Sequence, residues 1–430
     1  MPRRGRGEGP GGLQVRPPAA RARDVRGLPT LAPLTKPLME SLQLSALDLR
    51  LGLMACVLAV MAVTFHVLTG NFLTPENLYN IAQQTAVVGI VATAISLVIV
   101  ARHIDLSVGS VVGFVGVLIA YLQYTAGWHW PAACLAGLAA ALLAGMYQGG
   151  LTAYLGVPSF VVTLGGLMSF RGAAFLVANG KTQPITDPVF LWFGGGLDGA
   201  LGIAGSWTLA AVLALLLCWG TIQARRAKAR HGFPLRPLAA DIVFTLGLLA
   251  LLAAFTEAMC AYQLPGKPAG QGIPAPVVIW GTVVLVVAFI VRRTRFGRYV
   301  YAIGGNPEAA RLVGIPVRRV TLQLFLLLSV TITIAAIVSV SRLNAGTNSM
   351  GTGMELYVIA AAVIGGVSLS GGSGTVLGSV LGALIIQFLD SGLLLLDVGI
   401  GQRMIIIGQV LIVAVAFDVL YRRWTGERLA

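Results

Sequence analysis

Residues 355–385 read ELYVIAAAVIGGVSLSGGSGTVLGSVLGALI, two apolar runs separated by a break rich in glycine and serine. A helix needs roughly 20 residues to cross a hydrocarbon core about 30 Å thick, and the first run, at 357–370, is shorter than that. Backbone that leaves a helix at membrane depth must be buried in protein or line water. The break therefore predicts a broken or re-entrant helix over 357–370, followed by a full crossing over 375–393.

Apolar runs of this kind fill most of the chain. Of the 430 residues, 57% are hydrophobic and only 11% are charged, against about 25% charged residues in typical soluble proteins. This composition excludes a soluble globular enzyme and predicts an all-α polytopic membrane protein of about 10–12 transmembrane helices, some of them short or broken. The run at 276–291 is also short for a crossing. The predicted spans outside the opening stretch are 51–69, 81–101, 106–126, 131–156, 158–178, 207–224, 238–259, 276–291, 320–342 and 403–421.

The positive charge is concentrated between these runs. The net charge is +14, and 24 of the 30 Lys and Arg residues fall in four segments, 1–50, 225–236, 292–319 and 422–430. With twelve spans all four segments lie on one side, which the positive-inside rule assigns to the cytoplasm. We therefore expect both termini to be cytoplasmic. The charge is a topology signal, and nucleic-acid binding is not needed to explain it.

The first 47 residues differ from the rest. They are rich in Arg, Gly and Pro and contain no apolar run, a composition that predicts a disordered tail. No apolar stretch follows the basic residues, so the segment does not resemble a signal peptide. An alternative is that translation begins downstream, for example at Met39. The predicted transmembrane domain is 48–425, with the basic segment 292–319 as its largest loop on the cytoplasmic side.

Small residues recur at intervals of four in several spans. In lipid this spacing lets helix backbones approach closely, so it predicts packing and says nothing of a substrate. The residues concerned are Gly109 and Gly113, Gly145 and Gly149, and Gly374, Gly378 and Gly382. A weak echo also links DLSVGS at 105–110 to SLSGGS at 368–373, which points either to a re-entrant segment or to chance.

Motifs for covalent chemistry are missing. The Gly180-Lys181-Thr182 sequence lacks the first glycine of a phosphate-binding loop, because Phe175 occupies that position. Four separated cysteines and four histidines do not form a metal-binding pattern. We therefore expect no catalytic residues, no metal and no cofactor. Most acidic residues lie at span ends, which weakens an ion-coupled carrier but leaves it open.

Polar residues within or near the spans are candidates for a translocation path. Arg171 is an ionisable residue inside a predicted span, which is a functional hypothesis by default. It could equally snorkel outward or pair with an acid to lock two helices. Asp105 precedes a span and could cap that helix or contact a substrate. The candidate path residues are Gln83, Gln84, Asp105, Thr163, Arg171 and Asn344.

The basic segment 292–319 contains the signals of one short helix. Asn306 suits the N-cap, Pro307 the first helical position, and Glu308 the positive end of the helix dipole. Gly304-Gly305 breaks the chain before it, and Gly314 is a natural stop after it. A helix of about seven residues is unstable alone in water, so it must dock on a partner or lie on the membrane surface.

Four stretches together resemble the permeases of monosaccharide ABC importers, the ribose/xylose/arabinose group. They are HIDLSVGS (103–110), VPSFVVTLGGLMSFRG (157–172), FGRYVYAIGGNPEAARLVGIPV (296–317) and the opening stretch 355–385. Within that group, VPSFVVTLGGL and an additional basic hairpin at about 207–259 are most similar to the D-xylose permeases. The resemblance covers nearly everything from about residue 71 to 421, and the first 47 residues have no counterpart.

The resemblance implies an inner-membrane permease that passes a neutral monosaccharide, D-xylose first, without covalent chemistry. Its implied partners are a cytoplasmic ATPase subunit, a periplasmic sugar-binding protein, a second permease copy and membrane lipid. Other readings are an ABC permease for ribose, arabinose or galactose, an ion-coupled secondary carrier, or a membrane enzyme. The residues implied to couple the permease to the ATPase are Gly305, Asn306, Glu308, Ala309, Ala310, Arg311 and Gly314.

Overall fold

The computed structural model describes residues 46–196, 199–233, 235, 237–264, 266 and 269–425. Each of the twelve predicted spans contains a helix, so the all-α polytopic fold is confirmed. The predicted tail lies outside the described residues apart from its last two positions. The twelve helices are α1 (Ala46–Thr69), α2 (Pro75–Val100), α3 (Val108–Tyr124), α4 (Trp130–Tyr154), α5 (Ser159–Ala178), α7 (Gly202–Arg230), α8 (Leu238–Ala261), α9 (Ala275–Arg293), α12 (Val317–Leu343), α13 (Met354–Ile364), α14 (Val376–Leu395) and α15 (Ile400–Thr425).

Nine of these helices in the described part of the chain are long and apolar enough to cross a membrane. They include α9, whose 19 residues exceed the short run predicted at 276–291. The shorter apolar segments are α3, α13 and the Ile400–Ala416 part of α15. At 1.5 Å per residue the 11 residues of α13 extend about 16 Å, roughly half a bilayer core. The predicted interruption of this span is therefore confirmed.

The helices are buried to very different degrees. In α2 and α12, 89% and 72% of the most apolar window is buried inside the protein, so these two helices form the centre. The hairpin of α7 and α8 is peripheral, with 11% and 0% buried. Its buried residues lie near one end, among them Ser206 on α7 and Met259 on α8. Near the other end Arg225 and Asp241 form an ion pair.

The chain between α12 and α13, residues 344–353, packs as non-helical backbone along α3. A Cβ added at Gly109 would collide with the carbonyl of Gly351, and one at Gly113 would lie 2.6 Å from the Met350 oxygen. The glycines of α3 therefore admit a coil, whereas the spacing suggested a second helix. A two-residue antiparallel ladder fixes the start of this coil, since β1 (Gln183–Pro184) pairs with β2 (Ala345–Gly346).

The other glycine pairs pack against helices, as expected. On α4, a Cβ at Gly149 would lie 2.9 Å from the Cβ of Phe325 on α12. On α14, Gly378 and Gly382 face the backbone carbonyls of Gly365 and Ala361 at α13. Close packing of helices at this spacing is thus confirmed for these residues, whereas Gly374 precedes α14 and is not part of a helix. This packing also explains how a helix as short as α13 is held in place, because its backbone lies directly against α14.

The segment 292–319 holds two helices where the sequence predicted one. These are α10 (Arg295–Gly305) and α11 (Pro307–Leu312), which follow the short α6 (Pro188–Leu191) and a 3-10 turn at Trp192–Gly194 in chain order. The predicted break at Gly304-Gly305 was wrong by two residues. Gly304 is buried against the backbone of Gly372 and stays helical. The chain leaves the helical region only at Asn306, with φ −153° and ψ 106°.

Candidate functional site

The short helix α11 is built as its sequence predicts. The Asn306 side-chain oxygen accepts hydrogen bonds from the N–H groups of Glu308 and Ala309, both at 3.0 Å. Pro307 occupies the first turn, where its missing N–H costs nothing. These contacts define the N-terminus of α11 locally, as its sequence predicts.

The C-terminus of α11 has two reverse hydrogen bonds. Gly314 adopts φ +82°, its N–H donates to Arg311 O at 3.0 Å, and the N–H of Ile315 donates to Ala310 O at 3.0 Å. This pair of bonds is the Schellman arrangement, in which a left-handed residue satisfies the last carbonyls of a helix. The predicted stop at Gly314 is therefore confirmed.

The surface of α11 is unusual for a loop. Ala310 is its buried residue, at 3% exposure, and packs into the main core. Leu312 and the following Val313 are 88% and 77% exposed although both lie outside the spans. Exposed apolar side chains beside a polar rim mark interaction surfaces. The helix thus rests on one buried small residue, with Pro307 half-buried and its other residues exposed.

Three segments meet beside this helix, and we call the meeting point the junction, comprising 100–102, 304–305 and 371–374. Arg102 donates to Gly304 O at 2.7 Å through Nε and to Gly305 O at 2.9 Å through a terminal nitrogen. The N–H of Gly372 donates to Val100 O at 2.9 Å. The segments 105–110 and 368–373, which echo each other in sequence, therefore lie near the same junction.

Tyr301 adds a third contact at the junction. Its hydroxyl donates to Gly374 O at 2.8 Å, and burial raises the pKa of this phenol. The hydroxyl therefore stays protonated and keeps donating over the physiological range. Together these bonds tie the C-terminal end of α10, and with it the start of α11, to two loops that border the membrane helices.

Asp105 is buried at 1% exposure in the loop between α2 and α3. Its Oδ1 accepts from both the N–H and the Oγ–H of Ser107 at 2.7 Å, and Gln148 Nε2 donates to Ser107 Oγ at 2.8 Å. Burial raises the pKa of Asp105 to about 6, opposed by the two bonds from Ser107. Ser107 is the N-cap residue of α3. Asp105 lies two residues before it, and its carboxylate accepts from the backbone N–H of the N-cap residue.

The same loop is clamped by α5. The N–H of Ile104 donates to Ser159 Oγ at 3.2 Å, and the N–H of Leu106 donates to Thr163 Oγ1 at 3.1 Å. The Thr163 hydroxyl in turn donates a hydrogen bond to Ile104 O at 3.2 Å. Asp105 and Thr163, two of the candidate path residues, are thereby brought together in one hydrogen-bonded loop.

Arg171 lies about two turns after Thr163 on α5, and its guanidinium contacts other parts of the protein. One terminal nitrogen donates to Asn348 O at 2.9 Å and to Met350 O at 2.7 Å. Its hydrogen bonds go to backbone carbonyls inside the protein, so the alternative that it snorkels outward is wrong. The alternative that it pairs with an acid is supported, because its charge also interacts with that of Glu355. Coil at membrane depth needs such partners for its exposed carbonyls. Arg171 therefore locks the 344–353 coil to α5.

The remaining candidate path residues lie on different faces. Gln83 donates to Gly195 O at 2.5 Å, whereas Gln84 accepts from Gln387 of α14 at 2.9 Å. Asn344 ends α12 in the left-handed conformation, at φ +54°. The Asn344 carbonyl accepts from the N–H of Ile185 at 2.9 Å. With Arg171, four of the six candidates thus have structural partners away from the Asp105 loop. A role for any of the six in a sugar path remains a prediction.

Sequence reasoning missed the residues of the junction and the loop clamp. They are Arg102, Ser107, Gln148, Ser159 and Tyr301. Apart from the local contact of Ser107 with Asp105, their contacts join positions 41 to more than 200 residues apart, so no local pattern marks them. The one available signal was polar side chains at the ends of otherwise apolar runs, which applies to many positions in any membrane protein.

Replacing Arg171 by Met should lower the unfolding midpoint of the purified protein in detergent. Each hydrogen bond from a charged donor contributes about 1.5–3 kcal/mol, and two backbone carbonyls would lose their partner. Lys181→Met removes an exposed cation just beyond α5 and should leave the midpoint unchanged. Equal midpoints for Arg171→Met and the parent would contradict the assigned role.

The chain is similar to known transport proteins over most of its length. Residues 77–415 match the family described as "Branched-chain amino acid transport system / permease component". The xylose transport system permease protein of Haemophilus influenzae is 37% identical over 386 residues, which are 87% of this chain and 98% of that protein. The counterpart of the same name in Escherichia coli K12 is 37% identical over 88% of this chain and 94% of its own length. The ribose import permease protein of E. coli K12 is 32% identical over 84% of this chain and 91% of its own length. No solved structure matches the chain.

Proposed function

Because this chain belongs to the family of transport-system permease components, we propose that it is the membrane-spanning subunit of an ATP-driven sugar importer of the inner membrane. It gives a neutral monosaccharide a path across the bilayer and performs no covalent chemistry. Members of this family are permeases, and ATP hydrolysis belongs to a separate subunit. The multi-pass helical fold supports this assignment.

The observation that carries the proposal is α11. A capped helix of six residues is too short to be stable by itself, yet it stands at the protein surface with Leu312 and Val313 exposed. A helix of this kind is expected to be stabilised by contact with a partner protein. We propose that Gly305, Asn306, Glu308, Ala309, Ala310, Arg311 and Gly314 form or position the contact with the ATPase.

D-xylose is the sugar that we propose. Two relatives with 37% identity over most of both chains are named as xylose permeases, whereas the ribose permease is 32% identical. A pentose is uncharged, so its path needs hydroxyl and amide groups and no fixed counter-charge. Ribose, arabinose and galactose are the alternative sugars. A periplasmic sugar-binding protein and a second copy of the permease complete the proposed assembly.

The proposal is tested by uptake of radiolabelled D-xylose in cells that lack their own xylose transport. We expect uptake only when the permease, an ATPase and a periplasmic binding protein from the same xylose system are produced together. Omitting the ATPase or the binding protein should each abolish it. An excess of unlabelled D-xylose should compete, and ribose, arabinose or galactose should compete poorly. Uptake by the permease alone would contradict the proposal and favour a secondary carrier.

A further inference from the structure

We propose that Arg102 is a positioning residue that transmits movement of α11 to helix α5. This inference rests on the proposed function, because it assumes that α11 is the part of the chain that an ATPase moves. It adds the route by which that movement enters the membrane. The route runs from the end of α10 through the Arg102 guanidinium to the 101–107 loop, and from that loop to Ser159 and Thr163.

The first link is the pair of hydrogen bonds from Arg102 to the C-terminal end of α10. The last carbonyls of a helix have no partner within the helix and carry the negative end of its dipole, so a guanidinium is well suited to them. Arg102 contacts two consecutive carbonyls, those of Gly304 and Gly305. Gly305 directly precedes Asn306, the N-cap of α11. The guanidinium therefore holds the residue at which α11 is attached.

The backbone of Arg102 is set for this contact. Its φ is +67°, a left-handed conformation that is unfavourable for a non-glycine residue and persists where the surrounding structure enforces it. Glycine would adopt this conformation without strain but could not reach Gly304 and Gly305. An arginine here combines an unfavourable backbone with a long bidentate side chain, which fits a role for the side chain itself.

The C-terminal end of α10 also packs closely against the backbone of the other two junction segments. A Cβ added at Gly304 would collide with Val100 O and lie 2.6 Å from the N of Gly372. At Gly371, a Cβ would collide with Arg102 Cγ. Backbone packed this closely transmits displacement and does not absorb it. The contact between α10 and the loop is thus stiff, as a mechanical link requires.

The second link runs from the loop to α5. Ile104, two residues after Arg102, donates to Ser159, and Leu106 donates to Thr163. Ser159 and Thr163 lie one helical turn apart on the first two turns of α5. A shift of the Arg102 backbone therefore reaches α5 through two short covalent steps and two hydrogen bonds. Farther along α5, Arg171 connects the same helix to the 344–353 coil.

The test measures sugar transported per ATP hydrolysed, in proteoliposomes that contain the complete assembly, for Arg102→Lys. Lysine keeps the charge but cannot present the rigid fork that contacts two carbonyls together. We expect the assembly and its ATP hydrolysis to persist while the transport ratio falls about fivefold or more, the lower range of typical coupling between sites. Arg298→Lys, at an exposed arginine of the same α10, is the matched control and should leave the ratio unchanged.

A second variant tests the other end of the route. Thr163→Val keeps the shape of the side chain but removes the hydroxyl that accepts from Leu106, and it should lower the same ratio. Thr163→Ser, which retains a hydroxyl, should restore most of it. The double variant Arg102→Lys/Thr163→Val should be little worse than either single variant, because both interrupt one route.

Three results would overturn the inference. Equal loss of transport and ATP hydrolysis would indicate a structural role, as would failure of both variants to assemble. A normal transport ratio in Arg102→Lys would show that movement does not pass through this residue. These outcomes differ from failure of the proposed function, in which the unaltered permease would itself transport without ATP.

Discussion

Replacing Gly314 by Val should leave the permease in the membrane but abolish ATP-driven uptake of sugar. Gly314 has φ +82° and a Cβ there would meet nothing within 4 Å, so the penalty comes from the backbone conformation alone. A β-branched residue in the left-handed region costs about 1–3 kcal/mol, and the six residues of α11 have no stability of their own to offset it. The last turn should open, and the outward surface with Leu312 should be lost.

The measurement is co-purification of the ATPase with the permease, together with ATP hydrolysis stimulated by the sugar-loaded binding protein. Gly314→Asn is the matched control, because Asn tolerates the left-handed conformation and should retain most of both signals. Gly150→Val, near the C-terminal end of α4 with nothing within 4 Å, checks that a Gly-to-Val change outside α11 is harmless. Full association and uptake for Gly314→Val would remove α11 from the coupling role.

Replacing Gly109 by Leu should prevent the membrane domain from reaching its native state. A side chain at this position would occupy the space of the Gly351 carbonyl and the Glu355 carboxylate. Overpacking of a close-packed interior costs about 1–3 kcal/mol when the surroundings can yield, and here the displaced atoms include backbone that Arg171 holds in place. We expect the cost to reach or exceed that range and the protein to aggregate on extraction.

The readout is the fraction of protein that elutes as a single species after detergent extraction. Gly165→Leu places the same side chain on α5, where nothing lies within 4 Å, and should elute normally. If Gly109→Leu behaved like Gly165→Leu, the 344–353 coil would not be packed against α3 as described.

Local features of the sequence were enough to predict the helices, because burial in lipid requires long apolar runs and the break in 355–385 is visible as composition. Cap residues likewise predicted both ends of α11, since Asn306 and Gly314 act through neighbours within a few residues. The end of α10 was predicted wrongly because the prediction considered only the local sequence. A Gly-Gly pair usually breaks a helix, but here tertiary contacts with Gly372 keep Gly304 helical.

Long-range contacts could not be predicted in this way. Nothing near Gly109 indicates that its neighbour is a coil about 240 residues later in the chain, and the spacing of small residues suggested only a close approach. Arg102 showed no pattern at all, because its partners on α10 are 202 and 203 residues away. Local sequence patterns therefore predict the membrane helices. They do not predict the long-range contacts through which an ATPase would move those helices.

The central claim is that ATP hydrolysis by a separate subunit drives this permease. It is tested most directly by measuring D-xylose transport in proteoliposomes that hold the permease and its ATPase, with sugar-loaded binding protein on the opposite face to the ATPase. Our account predicts transport that requires ATP on the ATPase side and is unchanged when ionophores collapse the proton and sodium gradients. Transport that proceeds without ATP and disappears with the ion gradient would contradict it.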